Sequence, residues 1–204
     1  MRCVGEGTPG LRLIVFARAP VPGQVKRRLI PVLGKEGAAR LYQGLARTCL
    51  AAASAAGPVE LWCTPGTEHS FFAECQREFG VNLHLQQGDD LGQRMAHAMS
   101  RALPAMVMGS DCPSLTLTDL REAAAALDRG VDAVLGPAQD GGYVLLGLRR
   151  VDASLFEGIP WGTDTVLQET RSRLRSLGWG WHELPTRFDI DRPEDLPLLR
   201  PAPR

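Results

Sequence analysis

Three short stretches of this 204-residue chain carry side chains suited to polar chemistry at a phosphate or a cation. In the first, AMVMGSDCPSL (residues 105–115), a short apolar run breaks at Gly109 and delivers Asp111 beside Cys112 and Pro113. Such a run, bounded by Gly and Pro, reads as a buried strand of a parallel sheet. Its carboxyl end is where open α/β sheets bind ligands. A carboxylate held between a buried strand and a fresh helix can grip a hard cation. The plainer alternative is that Asp111 only closes a turn.

The second stretch is RAPVPGQVKRR, residues 18–28. It holds four basic residues, Arg18, Lys26, Arg27 and Arg28, in eleven positions, against 23 in the whole chain. Two prolines stiffen it, and Gly23 lets the backbone turn or approach a ligand closely. At the end of a first strand such a loop can cradle a polyphosphate, with arginine forks matching phosphate oxygens. It is not a Walker loop, since no GxxxxGK[ST] is present, and no GxGxxG follows. A solvated basic turn is the alternative.

The third stretch, RFDIDRPED (residues 187–195), places Asp189 and Asp191 two apart. Side chains alternate in an extended segment, so both share a face and could reach one metal. Alternatively, Asp191 caps a helix begun at Pro193, with Glu194 and Asp195 in its first turn. A paired aspartate after a first strand would suggest aspartyl-phosphate chemistry, but this pair comes last in the chain.

Weaker signals complete the set. The turn Asp140-Gly141-Gly142-Tyr143 could bring backbone amides to a substrate, or be a plain hairpin turn. PWGTDT (residues 160–165) could bring polar groups to the same edge, or be a plain helix start with a packed Trp. Asp90 lies three residues before Gln93, a capping spacing, and counts among the nucleotide-binding candidates with Gly141 and Gly142. Cys112 reads as small core filling, and the four histidines show no ligand spacing.

These residues need strands and helices to hold them. Strand-like runs fall at 11–17, 59–63, 81–85, 105–108, 131–137, 143–148 and 179–184. Helical patterns fall at 35–56, 67–79, 91–103, 117–127, 163–177 and 193–199. Alternating strands and helices imply right-handed βαβ units and a mainly parallel sheet covered on both faces. The tight Asp140–Gly142 turn implies one antiparallel insertion.

Composition narrows the possibilities. With 23 basic and 23 acidic residues there is no net basic field, which argues against nucleic acid or a membrane surface as partner. No apolar run approaches the ~20 residues of a membrane span. Five cysteines without CxxC or Cys/His spacing read as reduced thiols in a cytoplasmic protein. Residues 11–200 read as a single domain, with 1–10 a loose leader and 201–204 a tail.

Taken together, FARAPVPGQVKRRL, GDDLGQRM, GSDCPSL, GPAQDGGYVLLGL, WGTDTVLQET and DIDRPEDL resemble, in order, a bacterial family of uncharacterised transferases. That family lies in the nucleotide-diphospho-sugar transferase superfamily, of GT-A fold, and is similar to 2-phospho-lactate guanylyltransferases. The resemblance implies a three-layer α/β/α sandwich with a mixed, mainly parallel central sheet. It implies nucleotide phosphates on Arg18, Gly23, Lys26 and Arg28, and Mg²⁺ or Mn²⁺ on Asp111, completed by Asp189 and Asp191. Two positions depart from the family pattern: Arg27 and Arg192 stand where Thr is usual. The first alters phosphate contacts; the second leaves Asp191 to cap the helix itself.

The expected mechanism is electrostatic. A divalent ion on Asp111, Asp189 and Asp191 bridges the phosphates, while Lys26 and Arg28 stabilise charge on the leaving phosphate. Glycosyl transfer from a nucleotide sugar to an unknown acceptor needs a base, for which Asp140 is the candidate. Nucleotidyl transfer with pyrophosphate release needs none. A non-catalytic nucleotide binder or scaffold is the reading from outside enzymology.

Overall fold

The computed structural model describes residues 10–199. The leader and tail expectations fall outside these apart from residue 10, as does Cys3. Seven strands form one sheet in the order β3-β2-β1-β4-β6-β5-β7. The strands are β1 (Arg12–Arg18), β2 (Val59–Thr64), β3 (Asn82–Leu85), β4 (Ala105–Gly109), β5 (Ala133–Pro137), β6 (Tyr143–Leu148) and β7 (Trp181–Glu183). Only β6 runs against its neighbours, β4 and β5; every other pairing is parallel. The sheet is thus mixed and mostly parallel, with the antiparallel insertion after the Asp140–Gly142 turn.

Helices cover both faces: α1 (Ile30–Ala56), α2 (Ser70–Phe79), α3 (Leu91–Ser100), α4 (Leu117–Asp128) and α5 (Val166–Ser176). Strand alternation sorts the core. Leu13, Val15 and Ala17 of β1 face the layer of α1, α2 and α4, where Leu50, Phe72 and Leu120 are buried. Ile14, with Val107 of β4, faces the layer of α3 and α5, where Trp62, Met99 and Leu174 are buried. Each such large side chain contributes roughly 1.5–3 kcal/mol relative to exposure.

The element ends differ from expectation where local capping decides them. Helix α2 begins at Ser70, not 67, because the His69 ring accepts the Phe71 N–H. Helix α1 extends back to Ile30 across a kink at Gly34, where φ is 69°. The last helix is a single 3₁₀ stretch, Pro193–Leu199. At α4 the expected capping box is present: Thr116 and Asp119 exchange side-chain and backbone hydrogen bonds.

Asp119 does more than cap. Its second carboxylate oxygen accepts from Arg187, and the acid is buried. Arg187 in turn hydrogen-bonds through its backbone to Pro137 and Gln139 at the end of β5. The pair therefore fastens α4 to the segment that leads into Asp189. Asp119→Ala should cost about 3 kcal/mol, combining a lost cap with a broken, largely buried ion pair. Burial alone would raise the Asp119 pKa, but Arg187 and Thr116 hold it below the usual 3.8. The folded state thus binds this proton more weakly than the unfolded state. The stabilisation is complete above pH 3.8 and disappears as pH falls through the folded value. Chemical denaturation at pH 7 and pH 3 checks this: the gap between wild type and variant should narrow at the lower pH.

Candidate active site

A cleft of about 420 Å³ opens at the carboxyl ends of β1 and β4. Its polar wall comes from Arg18, Gln24, Lys26, Ser110, Asp111 and Asp191. Its apolar floor comes from Phe16, Leu91, Met95, Val107 and Tyr143, on the α3 side of the sheet. Thr64, the last residue of β2, and Gln86, just after β3, also line it.

Lys26 is the hub of the polar wall. Its Nζ donates to Asp111 Oδ2 at 2.9 Å and lies 3.7 Å from Asp191 Oδ1. Its side chain is only 4% exposed, against 39% for Asp111 and 34% for Asp191. Its backbone is left-handed, with φ 45° and ψ 47°, and no other non-glycine among the described residues has positive φ. Arg28 is mostly exposed and donates to the other oxygen of Asp191. Three segments far apart in sequence thus meet through ion pairs.

Packing and hydrogen bonds bring those segments together. Leu29, just after the basic loop, is buried in one cluster with Ile190, Ala38 and Leu45. Ile190 sits between the two aspartates, so its burial sets their positions. Its N–H donates to the Asp111 carbonyl, and Ser114 Oγ donates to the Phe188 carbonyl. From α1, the Tyr42 hydroxyl accepts the Arg18 N–H at 2.8 Å and pairs with Ser110 Oγ at 2.7 Å. Burial pushes the Tyr42 pKa up to about 12, so it stays a neutral bridge between the basic loop and the end of β4.

Asp191 does not cap the final helix, so the alternative reading of it fails. Asp195 Oδ2 accepts the N–H groups of Asp191 and Arg192 instead, leaving Asp191 for Lys26 and Arg28. Asp189 lies near Asp111 and Asp140: burial first, then their negative charge, raises its pKa to about 6, with Lys26 opposing. Asp140, Gly23, Arg28, Asp90, Gly141, Gly142 and Asp189 do not line the cleft, whereas Arg18, Lys26, Asp111 and Asp191 do. Gly23, with φ 84°, forms the turn of the basic loop beside the Lys35 side chain. Asp90 caps α3, accepting the Gln93 N–H at 2.8 Å. Asp140 Oδ1 accepts the Gly142 N–H at 3.0 Å, and Gly141 is pressed against the backbone of Asp164. Arg27 is exposed and lies outside the cleft lining.

Whether these carboxylates suit a divalent ion has two parts. Their oxygens are hard anionic donors, and Asp189 feels the negative charge of both Asp111 and Asp140. In charge and donor type they fit Mg²⁺ or Mn²⁺. No cage is already assembled: among the described residues no three His, Cys, Asp or Glu side chains are grouped to hold a metal. Lys26 stands between Asp111 and Asp191 instead.

Sequence reasoning missed Tyr42, Ser110, Ser114 and Gln86. Gln86 lines the cleft with its amide fixed, Nε2 donating to the carbonyls of Ala17 and Trp62. The described cysteines, 49, 63, 75 and 112, are free and buried. No described helix is long and apolar enough to cross a membrane.

The profile of a family described as "Uncharacterized protein conserved in bacteria (DUF2064)" matches residues 47–163, more than half of the chain. No curated protein matches. Among solved structures, a Desulfovibrio desulfuricans protein named as a candidate nucleotide-diphospho-sugar transferase is 32% identical. It has a TM-score of 0.81 and covers 89% of this chain and 82% of its own. CMP:2-keto-3-deoxy-manno-octonic acid synthetase, solved with CTP, is 11% identical with a TM-score of 0.55, covering 93% and 96%. Rv0371c of Mycobacterium tuberculosis, solved with manganese, is 16% identical with a TM-score of 0.50, covering 93% and 97%. The last two share the fold.

Proposed function

The chain belongs to the DUF2064 family, and on that premise we propose that it is a transferase acting on a nucleotide-activated donor bound in the cleft. The observation that carries this reading is the buried ammonium of Lys26, pinned between Asp111 and Asp191 in a cleft that Arg18 also lines. A cationic loop at the carboxyl edge of a parallel sheet is where phosphates bind in such folds. The cleft volume is that of a small-molecule site. The 32%-identical relative supports a nucleotide-diphospho-sugar donor.

In this reading Lys26 and Arg18 take the donor phosphates, and Arg28 holds Asp191 in place. When a sugar is transferred, an acceptor oxygen bonds to the anomeric carbon and gives its proton to a base, the bond from that carbon to the phosphate oxygen breaks, and a nucleoside diphosphate leaves. Lys26 and Arg18 stabilise the negative charge it carries away. Asp111, Asp189 and Asp191 would hold Mg²⁺ or Mn²⁺, which supplies further charge neutralisation at the phosphates when bound.

A second reading, nucleotidyl transfer, rests on a specific observation. An acceptor hydroxyl needs a base, yet both carboxylates lining the cleft are ion-paired, and Asp140 lies outside the lining with one oxygen on Gly142. A phosphate nucleophile is already ionised. It would attack the α-phosphorus of a nucleoside triphosphate and expel pyrophosphate without a base.

Thermal denaturation with nucleotides and nucleotide sugars, with and without Mn²⁺, tests the binding step. At a hundredfold excess over Kd a true ligand adds about 2.7 kcal/mol of stability. Phosphorus NMR of the products then separates the two reactions: nucleoside diphosphate marks sugar transfer, pyrophosphate marks nucleotidyl transfer. A protein stabilised by none of these compounds would be a scaffold, and the proposal would be wrong.

A further inference from the structure

We propose that Lys26 is a built-in counter-cation that keeps Asp111 and Asp191 paired until a polyphosphate draws its ammonium away, so that phosphate binding and divalent-cation binding favour each other. The inference rests on the reading of the cleft as a phosphate site and adds an order of events to it.

Four observations carry it. The ammonium donates to Asp111 at 2.9 Å and lies 3.7 Å from Asp191, so one cation already serves two carboxylates. It is almost wholly buried, so solvent does not share the charge. Its backbone occupies a left-handed conformation that a residue with a long side chain seldom adopts. Strain of that kind persists where surrounding interactions over-determine it, and it marks elements poised to change. Finally, Arg18 and Gln24 line the same cleft, and no hydrogen bond or ion pair engages either side chain among the described residues. They are the groups an arriving polyphosphate meets first.

The chemistry sets the direction. An ammonium hydrogen-bonded to a carboxylate oxygen blocks that oxygen from a metal, and a phosphate oxygen is an equally good acceptor for it. Moving Lys26 from Asp111 to phosphate frees hard anionic oxygens at the moment the phosphates arrive. The coupling must be reciprocal: whatever factor phosphate adds to metal affinity, metal adds to phosphate affinity. Arg28, also paired with Asp191, is mostly exposed, so its removal should matter much less.

The test is Mn²⁺ binding by the full chain, followed calorimetrically at buffered free Mn²⁺, alone and with saturating inorganic pyrophosphate. With Mn²⁺ alone, Lys26→Met and Lys26→Gly should bind at least about tenfold tighter than wild type, and Arg28→Met within about threefold of it. Lys26→Gly also relieves the left-handed backbone and so guards against a folding defect. Pyrophosphate should tighten Mn²⁺ binding at least about fivefold in wild type and much less in the Lys26 variants. The idea is overturned if the Lys26 variants gain no more than Arg28→Met. It is equally overturned if the pyrophosphate effect survives intact in Lys26→Met, or if no variant binds Mn²⁺. Failure of every nucleotide to stabilise wild type, with the Lys26 gain present, would instead sink the proposed function.

Discussion

Asp111→Asn is expected to weaken Mn²⁺-dependent nucleotide binding about 100-fold or more while leaving the fold intact. Supporting groups around a metal already cost 10–100-fold when removed, and a direct ligand should cost no less. The expectation of a preserved fold has its own grounds. The contact that fastens Asp111 to the neighbouring segment is its backbone carbonyl, which accepts from Ile190 and is untouched by the substitution. Asparagine keeps an oxygen that can accept from Lys26, and Asp191 remains 3.7 Å from that ammonium. Circular dichroism and a melting curve check the fold, and calorimetry with a nucleotide and Mn²⁺ checks binding. Wild-type affinity in Asp111→Asn would move the centre of the site elsewhere.

The elements that position Asp111 were legible because their signals are local. An apolar run ending in Gly109, a Thr116–Asp119 capping box and the Asp140–Gly142 turn each lie within a few residues, and each is present. The mixed sheet follows from them. What sequence could not show are partners chosen by tertiary packing. Tyr42 reaches Ser110 across 68 positions, and no pattern in α1 sets it apart from its buried apolar neighbours. Asp191 looked like a helix cap because it precedes Arg192 and Pro193. Asp195 takes that work from inside the helix, a reversal that only the backbone path reveals.

The same limit applies to the glycines. A Gly-Gly pair after an aspartate signals either a turn or room for a ligand, and both readings use the same residues. At Gly141 the room is already taken, because the PWGTDT loop lies against it. Trp161 of that loop covers Gly92 at the start of α3, where an added Cβ would come within 2.6 Å of the indole. The PWGTDT loop therefore packs against two other blocks, behind Leu91 and Tyr143, which do line the cleft.

That fit makes Gly141→Ala a severely damaging substitution, with an expected cost of about 4 kcal/mol. Two effects add. Gly141 sits at φ 88°, where a side chain strains the backbone. Its Cβ would stand 2.1 Å from the Asp164 carbonyl oxygen, and backbone cannot step aside as a flexible side chain can. The Gly141 carbonyl also accepts the Leu167 N–H near the start of α5, so the disturbance reaches that helix. Gly162→Ala separates the two contributions. Gly162 has φ 82° but nothing within 4 Å of an added Cβ, so it carries the strain without the collision and should cost about 1–2 kcal/mol. Urea denaturation of both variants checks the difference. Equal losses would mean that the loop yields freely and that Asp164 does not hold Gly141 in place.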